Sequence, residues 1–454
     1  MLKTSHLTRR QMLCSASGGL GLSLPMFLNI RSATAATSSG KAKSCIVLYC
    51  WGGMSHHEVF DPRPDAPVDV RGEFSPISTA VPGIIVGEHI PRLAKIANRL
   101  AIVRSVNHGE SAHGRGMYWN LTGHAPPPIP AGNIPPTREQ WPSLTAMVSK
   151  IRAAPKGVPG AVRLPYPLVD NGTLQGGEYG GWLGVPHDPI VMKTPAGTAW
   201  GGVSRSLGAE VLDLKNNVAL SRAQMRRKLV ASLERPISVP AEFEEFEHFR
   251  ELASDMLLSS AVRNAYNLDA EDVKTRDTYG MHIGGQSMLL ARRLVEAGVP
   301  IVQVCCAAGD LNGGKGDMWD THGDNFRRLK ERLLPVFDRA MSALILDLEQ
   351  RGMLDETLVV MLTDFGRTPK INGAAGRDHY PNVYSVAMAG GGIRGGQVYG
   401  SSDTLGAFPR TSPCSPADLH ATIFQSLGIS PRAEIHDQLG RPFPVSDGRV
   451  LPLM

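Results

Sequence analysis

The hydrophobic residues of the chain fall into short apolar runs separated by longer amphipathic segments. Nearly continuous apolar runs, with the length of buried strands, occur at 44–51, 100–106, 300–307, 357–364 and 384–392. Runs of this kind are typical of strands that are covered on both faces. The pattern therefore predicts a largely parallel sheet buried between layers of helices.

Segments with a helical period separate these runs in the second half of the chain. They extend from about 244 to 268, over 284–299 and over 325–356, and Pro335 is expected to kink the last of them. Strands that alternate with helices predict an α/β fold, a doubly wound and mostly parallel sheet with helices on both faces. Ligands of such sheets bind at the carboxyl ends of the strands.

The N-terminus has the features of an export signal. Two adjacent arginines lie in the segment 8–13, a moderately apolar stretch follows, and small residues at 33–35 offer a cleavage site. We therefore expect a twin-arginine signal peptide over 1–35 and a single domain over 36–454 that is exported in the folded state. The location expected is periplasmic or otherwise extracytoplasmic. The apolar stretch is too short to span a bilayer, so no stable membrane anchor is expected after signal removal.

The region 124–240 is rich in Gly and Pro and has weak periodicity. Its first part, 124–137, is a Pro-rich tract that cannot form regular structure and is expected at the surface. We expect the whole region to be an insertion, of which 160–240 covers the domain and contributes no strand to the sheet.

Composition and charge narrow the possible functions. The 454 residues are 42% hydrophobic and 20% charged, as in a soluble globular protein. The formal net charge of +5 falls to +1 in the mature chain, because the segment 1–35 contains four basic residues and no acid. A nearly neutral protein has no electrostatic basis for binding nucleic acid. No Cys-x-x-Cys pair occurs, so a thiolate zinc site is not expected.

Four polar clusters lie at or near the ends of predicted strands, at 52–62, 106–124, 318–325 and 364–381. A doubly wound sheet would bring such loops together. Their mixture of histidines and carboxylates suits zinc, manganese or iron better than calcium or magnesium. The alternative is that these residues only cap helices and hydrogen-bond within loops. Four clusters at strand ends favour a metal or anion site.

Asp364, Phe365 and Gly366 also form the tripeptide that binds magnesium in protein kinases. A kinase would need a Gly-rich phosphate loop, a strand lysine and a His-Arg-Asp loop upstream of this tripeptide. None of these occurs in order. The kinase class is excluded, and Asp364 is interpreted as a metal-ligand carboxylate at a strand end.

The order of these motifs resembles the alkaline phosphatase-like superfamily, which includes sulfatases and cofactor-independent phosphoglycerate mutases. More closely, "GGMSHHEVFDPRP", "HGRGMYWNLTGH", "DTHGDN" and "GRDHYP" resemble an uncharacterised family of exported, sulfatase-like proteins known as a domain of unknown function. The resemblance covers nearly the whole mature chain. It implies an alkaline phosphatase-like fold, one or two divalent ions, with zinc or manganese preferred, and an anionic ester or glycan as substrate.

The resemblance also implies roles for individual residues. Asp320, His322 and His379 correspond to one metal site, and Asp364 corresponds to the carboxylate of a second. The chain departs from the superfamily pattern after Asp364, where one expected ligand is missing, and at the end of the first strand, where an acidic ligand is replaced by Trp51. The loop after that strand offers three substitute ligands, His56, Glu58 and Asp61.

The nucleophile is the least defined part of the predicted site. Counting back from the "Leu-Thr-Gly" turn places His113 where sulfatases carry a modified Cys or Ser, so a formylglycine sulfatase is disfavoured. An imidazole can accept a phosphoryl group or bind a metal, and Ser111 is the alternative nucleophile. Guanidinium groups that could neutralise an anionic ester are Arg115, Arg367 and Arg377.

The first hypothesis is therefore an exported metal-dependent hydrolase of phosphate or sulfate esters. The second is a non-catalytic binding protein for anionic glycans or for a partner protein, built on a degenerate hydrolase fold. The missing ligand and the absence of a Ser, Thr or Cys at the nucleophile position favour this second hypothesis. A mutase or transferase that uses a phosphohistidine is a third. Ester turnover by the metal-loaded protein separates the first from the second.

Overall fold

The computed structural model describes residues 40–129, 132–170, 172–191, 259–306 and 318–454, together with scattered helical positions between 222 and 258. The predicted signal peptide and the first part of the helix predicted from about 244 to 268 lie outside these residues. No helix among the described residues is both long enough and apolar enough to cross a membrane.

Eight strands of the described chain form one central sheet. They are β1 Ser44–Cys50, β2 Leu100–Val106, β3 Ala161–Leu164, β4 Ile190–Val191, β5 Ile301–Cys305, β6 Thr357–Thr363, β7 Tyr384–Ala389 and β8 Gln397–Tyr399. Their spatial order is β8-β2-β7-β6-β1-β5-β3-β4. β7 is antiparallel to both of its neighbours, and the other seven strands run parallel to one another. The predicted α/β class with a mostly parallel sheet is confirmed.

β1 and β6 form the centre of this sheet. They pair in parallel from Ser44 opposite Thr357 to Cys50 opposite Thr363, so both strands end at the same edge. Every residue of both strands is buried, which requires that both faces of the sheet be covered. Each large apolar side chain buried in this way contributes roughly 1.5–3 kcal/mol. This arrangement fixes the loops that follow β1 and β6 next to each other.

The helices of the described chain vary from one turn to about five. They are α1 Val68–Arg71, α2 Pro91–Lys95, α3 His113–Thr122, α4 Leu144–Ile151, α5 Ser260–Tyr266, α6 Val273–Tyr279, α7 Ile283–Glu296, α8 Asn325–Arg328, α9 Leu334–Gln350 and α10 Pro416–Ser426. Single 3₁₀ turns occur at Ala97–Arg99, Gly181–Leu183, Val185–His187, Leu268–Ala270 and Leu354–Glu356. α7 packs against α9 and against β5.

The long helix predicted over 325–356 is interrupted near Pro335. A π-helical turn at Leu329–Leu333 joins α8 to α9, and Pro335 lies in the first turn of α9. Proline has no N–H to donate to the residue four positions earlier, so the regular hydrogen-bond ladder cannot continue through it. The predicted kink therefore takes the form of a π turn.

Five short antiparallel strand pairs lie outside the central sheet. They are Pro76–Ser78 with Ile85–Gly87, Val169–Asp170 with Thr173–Leu174, Gly366–Arg367 with His379–Tyr380, Ser401–Ser402 with Pro409–Thr411, and Glu434–His436 with Pro442–Pro444. In the third pair Arg367 lies opposite His379. This pair folds His379 back towards the end of β6.

The prediction that the region 160–240 contributes no strand to the sheet is wrong. β3 and β4 both come from it, and β3 pairs with β5 inside the central sheet. These strands have four and two residues, and Gly- and Pro-rich sequence surrounds them. Runs of that length are too short to stand out as a hydrophobic period.

Candidate metal centre

The loops at the carboxyl edge of the sheet bring together side chains from three distant parts of the chain. α3 begins at His113, which lies in its first turn. The segment that carries Asp320 is attached to the end of β1, because the Trp319 N–H donates to the Trp51 carbonyl at 2.9 Å. His379 arrives on the short strand pair after β6. The topology therefore assembles a polar cluster at the edge where parallel sheets bind ligands.

One carboxylate and two imidazoles form the core of this cluster. The ligand atoms of His113, Asp320 and His379 all lie within 4.8 Å of one another. Asp320 Oδ1 is 3.2 Å from His379 Nε2, and Asp320 Oδ2 is 3.3 Å from His113 Nε2. His322 adds a third imidazole, with Nε2 3.2 Å from Asp320 Oδ1 and 2.9 Å from His379 Nε2. We call these four residues the metal cluster.

Each imidazole of the metal cluster is held through its other ring nitrogen. The Nδ1 contacts are His113 with Asp364 Oδ2 at 2.8 Å, His322 with Asp378 Oδ1 at 2.7 Å, and His379 with the Ser111 carbonyl at 2.7 Å. A carbonyl oxygen can only accept, so the Nδ1 of His379 carries the proton and its Nε2 presents a lone pair. Histidines that bind metals are usually oriented in this way, by an acceptor behind the ring.

The donor set fits a divalent transition-metal ion. When both rings donate through Nδ1, the Nε2 lone pairs of His322 and His379 face each other at 2.9 Å, which is unfavourable without a proton or a cation between them. His113 Nε2 is buried and makes no hydrogen bond, although Asp320 is close to it. Three imidazoles and one carboxylate are ligands that zinc and manganese accept.

The electrostatics of the metal cluster favour positive charge at its centre. Burial lowers the pKa of His113, but the Asp320 and Asp364 carboxylates outweigh burial and raise this pKa to about 9. Burial acts to raise the pKa of Asp320, yet His113, His379 and Arg367 hold it below its usual range. Burial lowers the pKa of His379. A proton on His113 therefore occupies part of the position that a metal ion would take.

Asp364 is fully buried behind His113 and is not part of the metal cluster. One of its oxygens accepts from the Tyr49 hydroxyl at 2.7 Å, and the other accepts from the Gly52 N–H at 3.0 Å and from His113. Gly52 has a φ of 108°, and a Cβ there would lie 2.5 Å from the Asp320 nitrogen. Both carboxylate oxygens of Asp364 are thus occupied by these three donors. The role implied for Asp364, a ligand in a second metal site, is not what the geometry supports, because this carboxylate orients His113 instead.

The sequence of the chain matches one protein family over nearly all of its described length. The profile of the family described as "Protein of unknown function (DUF1501)" matches residues 42–453. The chain belongs to the DUF1501 family. This confirms the expected membership in a domain of unknown function. A search among curated proteins found no match.

Several solved structures resemble the DUF1501 chain at a distance. Ps i-CgsB is 11% identical over 86% of this chain and 72% of that chain, with a TM-score of 0.40. The PsFucS1 sulfatase from Pseudoalteromonas sp. is 13% identical over 89% and 71%, with a TM-score of 0.33. The phosphonate monoester hydrolase SpPMH from Silicibacter pomeroyi is 11% identical over 90% and 76%, with a TM-score of 0.35. At these values no residue role is transferred from them.

The substitute ligands predicted in the loop after β1 lie outside the metal cluster of the DUF1501 chain. His56 contacts the Gly406 carbonyl at 2.9 Å. Glu58 pairs with the Arg377 guanidinium at 2.6 Å, and Asp61 pairs with the Arg63 guanidinium at 2.6 Å. In the described part of the chain, one group of at least three possible ligand side chains lies within metal-binding distance of one another, and it consists of His113, Asp320 and His379. The described residues therefore assemble a single site.

The three predicted anion-binding arginines of the DUF1501 chain are engaged within the protein. Arg115 donates to Glu110 at 2.6 Å, and Arg377 donates to Glu58. Arg367 is fully buried and donates to Asp320 Oδ1 at 2.6 Å. Of the three, Arg367 is the one in contact with the metal cluster.

The two predicted nucleophiles have other roles in this geometry. Each ring nitrogen of His113 lies next to a carboxylate oxygen, and this arrangement suits a metal ligand better than a nucleophile. Ser111 is exposed, and its carbonyl is the group that contacts the cluster. Sequence reasoning gave no role to Asp378 or Tyr49. Asp378 could have been found, because it directly precedes His379, whereas Tyr49 lies inside an apolar run and gives no signal.

Proposed function

We propose that the protein is a metal-dependent hydrolase of phosphate or sulfate esters that holds one divalent ion. The observation that carries this proposal is that three imidazoles, each anchored through Nδ1, direct Nε2 to the carboxylate of Asp320. A divalent ion bound there supplies a Lewis acid that polarises an ester oxygen and lowers the pKa of a bound water. Zinc and manganese are the ions that this donor set favours.

The exposure of the residues indicates the side from which a substrate reaches the site. His322 and Asp378 have side chains that are 46% and 52% exposed, whereas Asp364 and Arg367 are fully buried. The closed side is the end of β1 and β6, and the open side is formed by His322. An ester on an extended molecule, such as a glycan, can approach the cluster from this open side.

The contacts of the metal cluster support water as the nucleophile. No Ser, Thr or Cys side chain among the described residues contacts the four ligands, and Ser111 contributes only its carbonyl. His113 has a carboxylate next to each ring nitrogen, so it has no free position at which to accept a phosphoryl group. This favours hydrolysis over the mutase or transferase hypothesis.

A non-catalytic binding protein is the second candidate. The guanidinium groups of Arg115 and Arg377 contact carboxylates of the chain itself, so neither is directed at an ester in the described structure. This observation argues against ester turnover, and within the second candidate it favours a partner protein over an anionic glycan, which would also need a guanidinium directed at it. For either candidate we place the protein outside the cytoplasm, on the basis of its twin-arginine segment.

Metal content of the purified mature protein tests the proposal. Elemental analysis is made on the wild type, on Asp320→Ala and His379→Ala, and on His436→Ala, an exposed histidine of the Glu434–His436 strand. We expect about one equivalent of zinc or manganese in the wild type and in His436→Ala, and loss of metal from the other two variants. Metal that persists in Asp320→Ala would contradict the assigned site.

Turnover of simple aryl esters separates the two candidates. The metal-loaded wild type is assayed with an aryl phosphate, an aryl sulfate and an aryl phosphonate. Hydrolysis that is lost in Asp320→Ala and kept in His436→Ala supports the hydrolase. Bound metal without turnover of any ester supports the binding protein. A wild type that takes up neither zinc nor manganese from an excess would contradict the hydrolase and leave the binding protein.

A further inference from the structure

Arg367 holds a buried positive charge directly behind the metal cluster. Its side chain is fully buried, and one terminal nitrogen donates to Asp320 Oδ1 at 2.6 Å. We propose that Arg367 is a positioning residue that acts through Asp320 and makes the site select oxyanions over neutral ligands. This inference rests on the proposed function and adds to it the residue that sets the preference for anionic ligands.

Arg367 cannot contact a substrate itself, because each of its nitrogens has a partner inside the chain. Nε donates to the Gly53 carbonyl at 2.9 Å, and Nη1 donates to the Arg377 carbonyl at 3.0 Å. Nη2 donates to the carbonyls of Gly52 and Trp319 in addition to Asp320. The direct contact with an anionic ester that the sequence suggested is therefore replaced by an indirect role.

The partners of Arg367 belong to the three segments that build the edge of the site. Gly52 and Gly53 follow β1, Trp319 precedes Asp320, and Arg377 lies two positions before His379. A planar guanidinium with several fixed donors can hold such segments in one arrangement. Asp320 is consequently oriented by the same group that balances its charge.

The charge balance of the site gives Arg367 its effect on ligand selection. The carboxylates of Asp320, Asp364 and Asp378 each contact an imidazole of the metal cluster, and together they carry three negative charges. Asp170, which is half-buried, adds a further negative charge that acts on His113, Asp320 and Asp364. A divalent ion alone would therefore leave a negative excess, which would repel a phosphate or sulfate group. The Arg367 charge reduces this excess. Arg328 is a second cation nearby and donates to the backbone carbonyls of Asp320 and Met318.

An electrostatic role and a purely structural role predict different results for a charge-removing variant. If Arg367 only held the segments together, R367Q would weaken zinc binding and anion binding in parallel. If its charge matters, R367Q leaves zinc affinity equal to or tighter than in the wild type, because a positive charge near the ion is removed. Anion affinity then falls, so the two affinities change in different directions.

The test compares R367Q with R367K, which keeps the charge, and with R163Q as a matched control. Arg163 is 1% exposed and pairs with Glu178 at 2.6 Å, away from the metal cluster. Zinc affinity is measured by competition with a chromogenic chelator, and phosphate and sulfate affinities are measured by calorimetry on the zinc-saturated proteins. For R367Q we expect phosphate and sulfate affinity to fall by about tenfold while zinc affinity does not fall. R163Q should stay near the wild type for phosphate, and R367K, which keeps the charge but cannot replace all the donors of the guanidinium, should bind phosphate more tightly than R367Q.

Two results would overturn the inference: equal phosphate affinity in R367Q and wild type, or a parallel loss of zinc and phosphate affinity. If R367Q does not fold, D378N replaces it, because Asp378 is 52% exposed and its loss removes one negative charge. The zinc-saturated D378N protein should then bind phosphate several-fold more tightly, and unchanged or weaker binding overturns the inference. A wild type that binds no zinc overturns the proposed function, whereas zinc binding with phosphate affinity insensitive to Arg367 overturns only this inference.

Discussion

His113 and Asp364 are separated by 251 positions in the chain, yet the imidazole Nδ1 lies 2.8 Å from the carboxylate Oδ2. They meet because α3 begins at the edge of the sheet where β6 ends. The contact fixes the ring so that Nε2 faces Asp320. A buried carboxylate behind a histidine is the arrangement that orients metal ligands in many proteins.

Replacing Asp364 with Asn should weaken metal binding without removing any ligand. The Asn amide can donate to His113 Nδ1, which favours the tautomer with a proton on Nε2. We expect zinc affinity to fall roughly 10–100-fold, as for other second-layer contacts. Tyr49→Phe is the control, because it removes a hydrogen bond to the other Asp364 oxygen and leaves the contact with His113 intact. Equal losses in both variants, measured by chelator competition, would contradict this role for Asp364.

Two glycines of one loop provide a matched pair of substitutions. A Cβ on Gly376 would lie 1.8 Å from the His322 carbonyl, whereas a Cβ on Gly373 would have nothing within 4 Å. Gly376→Ala must therefore displace the segment that holds His322, and we expect a loss of zinc affinity of about tenfold or more. Gly373→Ala should bind zinc like the wild type. A zinc titration of both variants checks this, and similar affinities for the two would show that the position of His322 is unimportant.

Zinc affinity should rise with pH because a proton competes for the metal cluster. The pKa of His113 is raised from 6.5 to about 9 in the metal-free protein, where Asp320 and Asp364 outweigh the effect of burial. Below this pH the ion must displace a proton, so affinity should increase by up to about tenfold per pH unit and level off near pH 9. Chelator competition between pH 6 and pH 10 measures the slope, and a flat profile would contradict the assignment.

The same proton affects the stability of the metal-free protein with a definite sign. The folded-state pKa of His113 is above its unfolded value, so its contribution is complete below about pH 6.5 and is lost as pH rises through about 9. Binding of zinc should abolish this dependence, because the ion takes the place of the proton. Denaturant unfolding at pH 7 and pH 9.5 measures the free energy of unfolding of the metal-free form and of the zinc-bound form.

Buried neutral histidines should make the protein sensitive to acid. Burial lowers the pKa of His108, His124 and His420 from 6.5 to about 4. Their contribution to the free energy of unfolding is complete above about pH 6.5 and is lost as pH falls towards 4, by at most about 4 kcal/mol per pH unit for the three together. Urea unfolding of the metal-free protein at pH 7, 6 and 5 measures this loss. His420→Gln should reduce the slope by up to about 1.4 kcal/mol per pH unit, and an unchanged slope would contradict the assignment.

The central strands could be predicted from the sequence because their burial is uniform. β1 and β6 are seven-residue runs in which every side chain is buried, so no polar position interrupts the pattern. β3 and β4 could not be predicted from the sequence, because runs of four and two residues are too short to show a hydrophobic period. Their pairing with the sheet depends on strands that are distant in the chain. A short strand is thus defined by its neighbours more than by its own residues.

The metal cluster was predictable in part. Asp320, His322 and His379 were grouped from their motifs, and the structure brings them together with His113. The function of Asp364 was not predictable, because its three donors come from remote parts of the chain. In the sequence, a carboxylate at a strand end that binds an ion cannot be distinguished from one whose oxygens accept hydrogen bonds within the protein.

The four residues of the metal cluster lie between positions 113 and 379, on segments that follow β2, β5 and β6 and meet only when the central sheet is assembled. No fragment of the chain that lacks one of these segments can assemble the centre, so uptake of an ion has to follow folding of nearly the whole domain. Bound metal would then raise the unfolding free energy of the entire sheet, by an amount set by the free ion concentration. The lifetime of the folded protein would then depend on how much metal its surroundings supply.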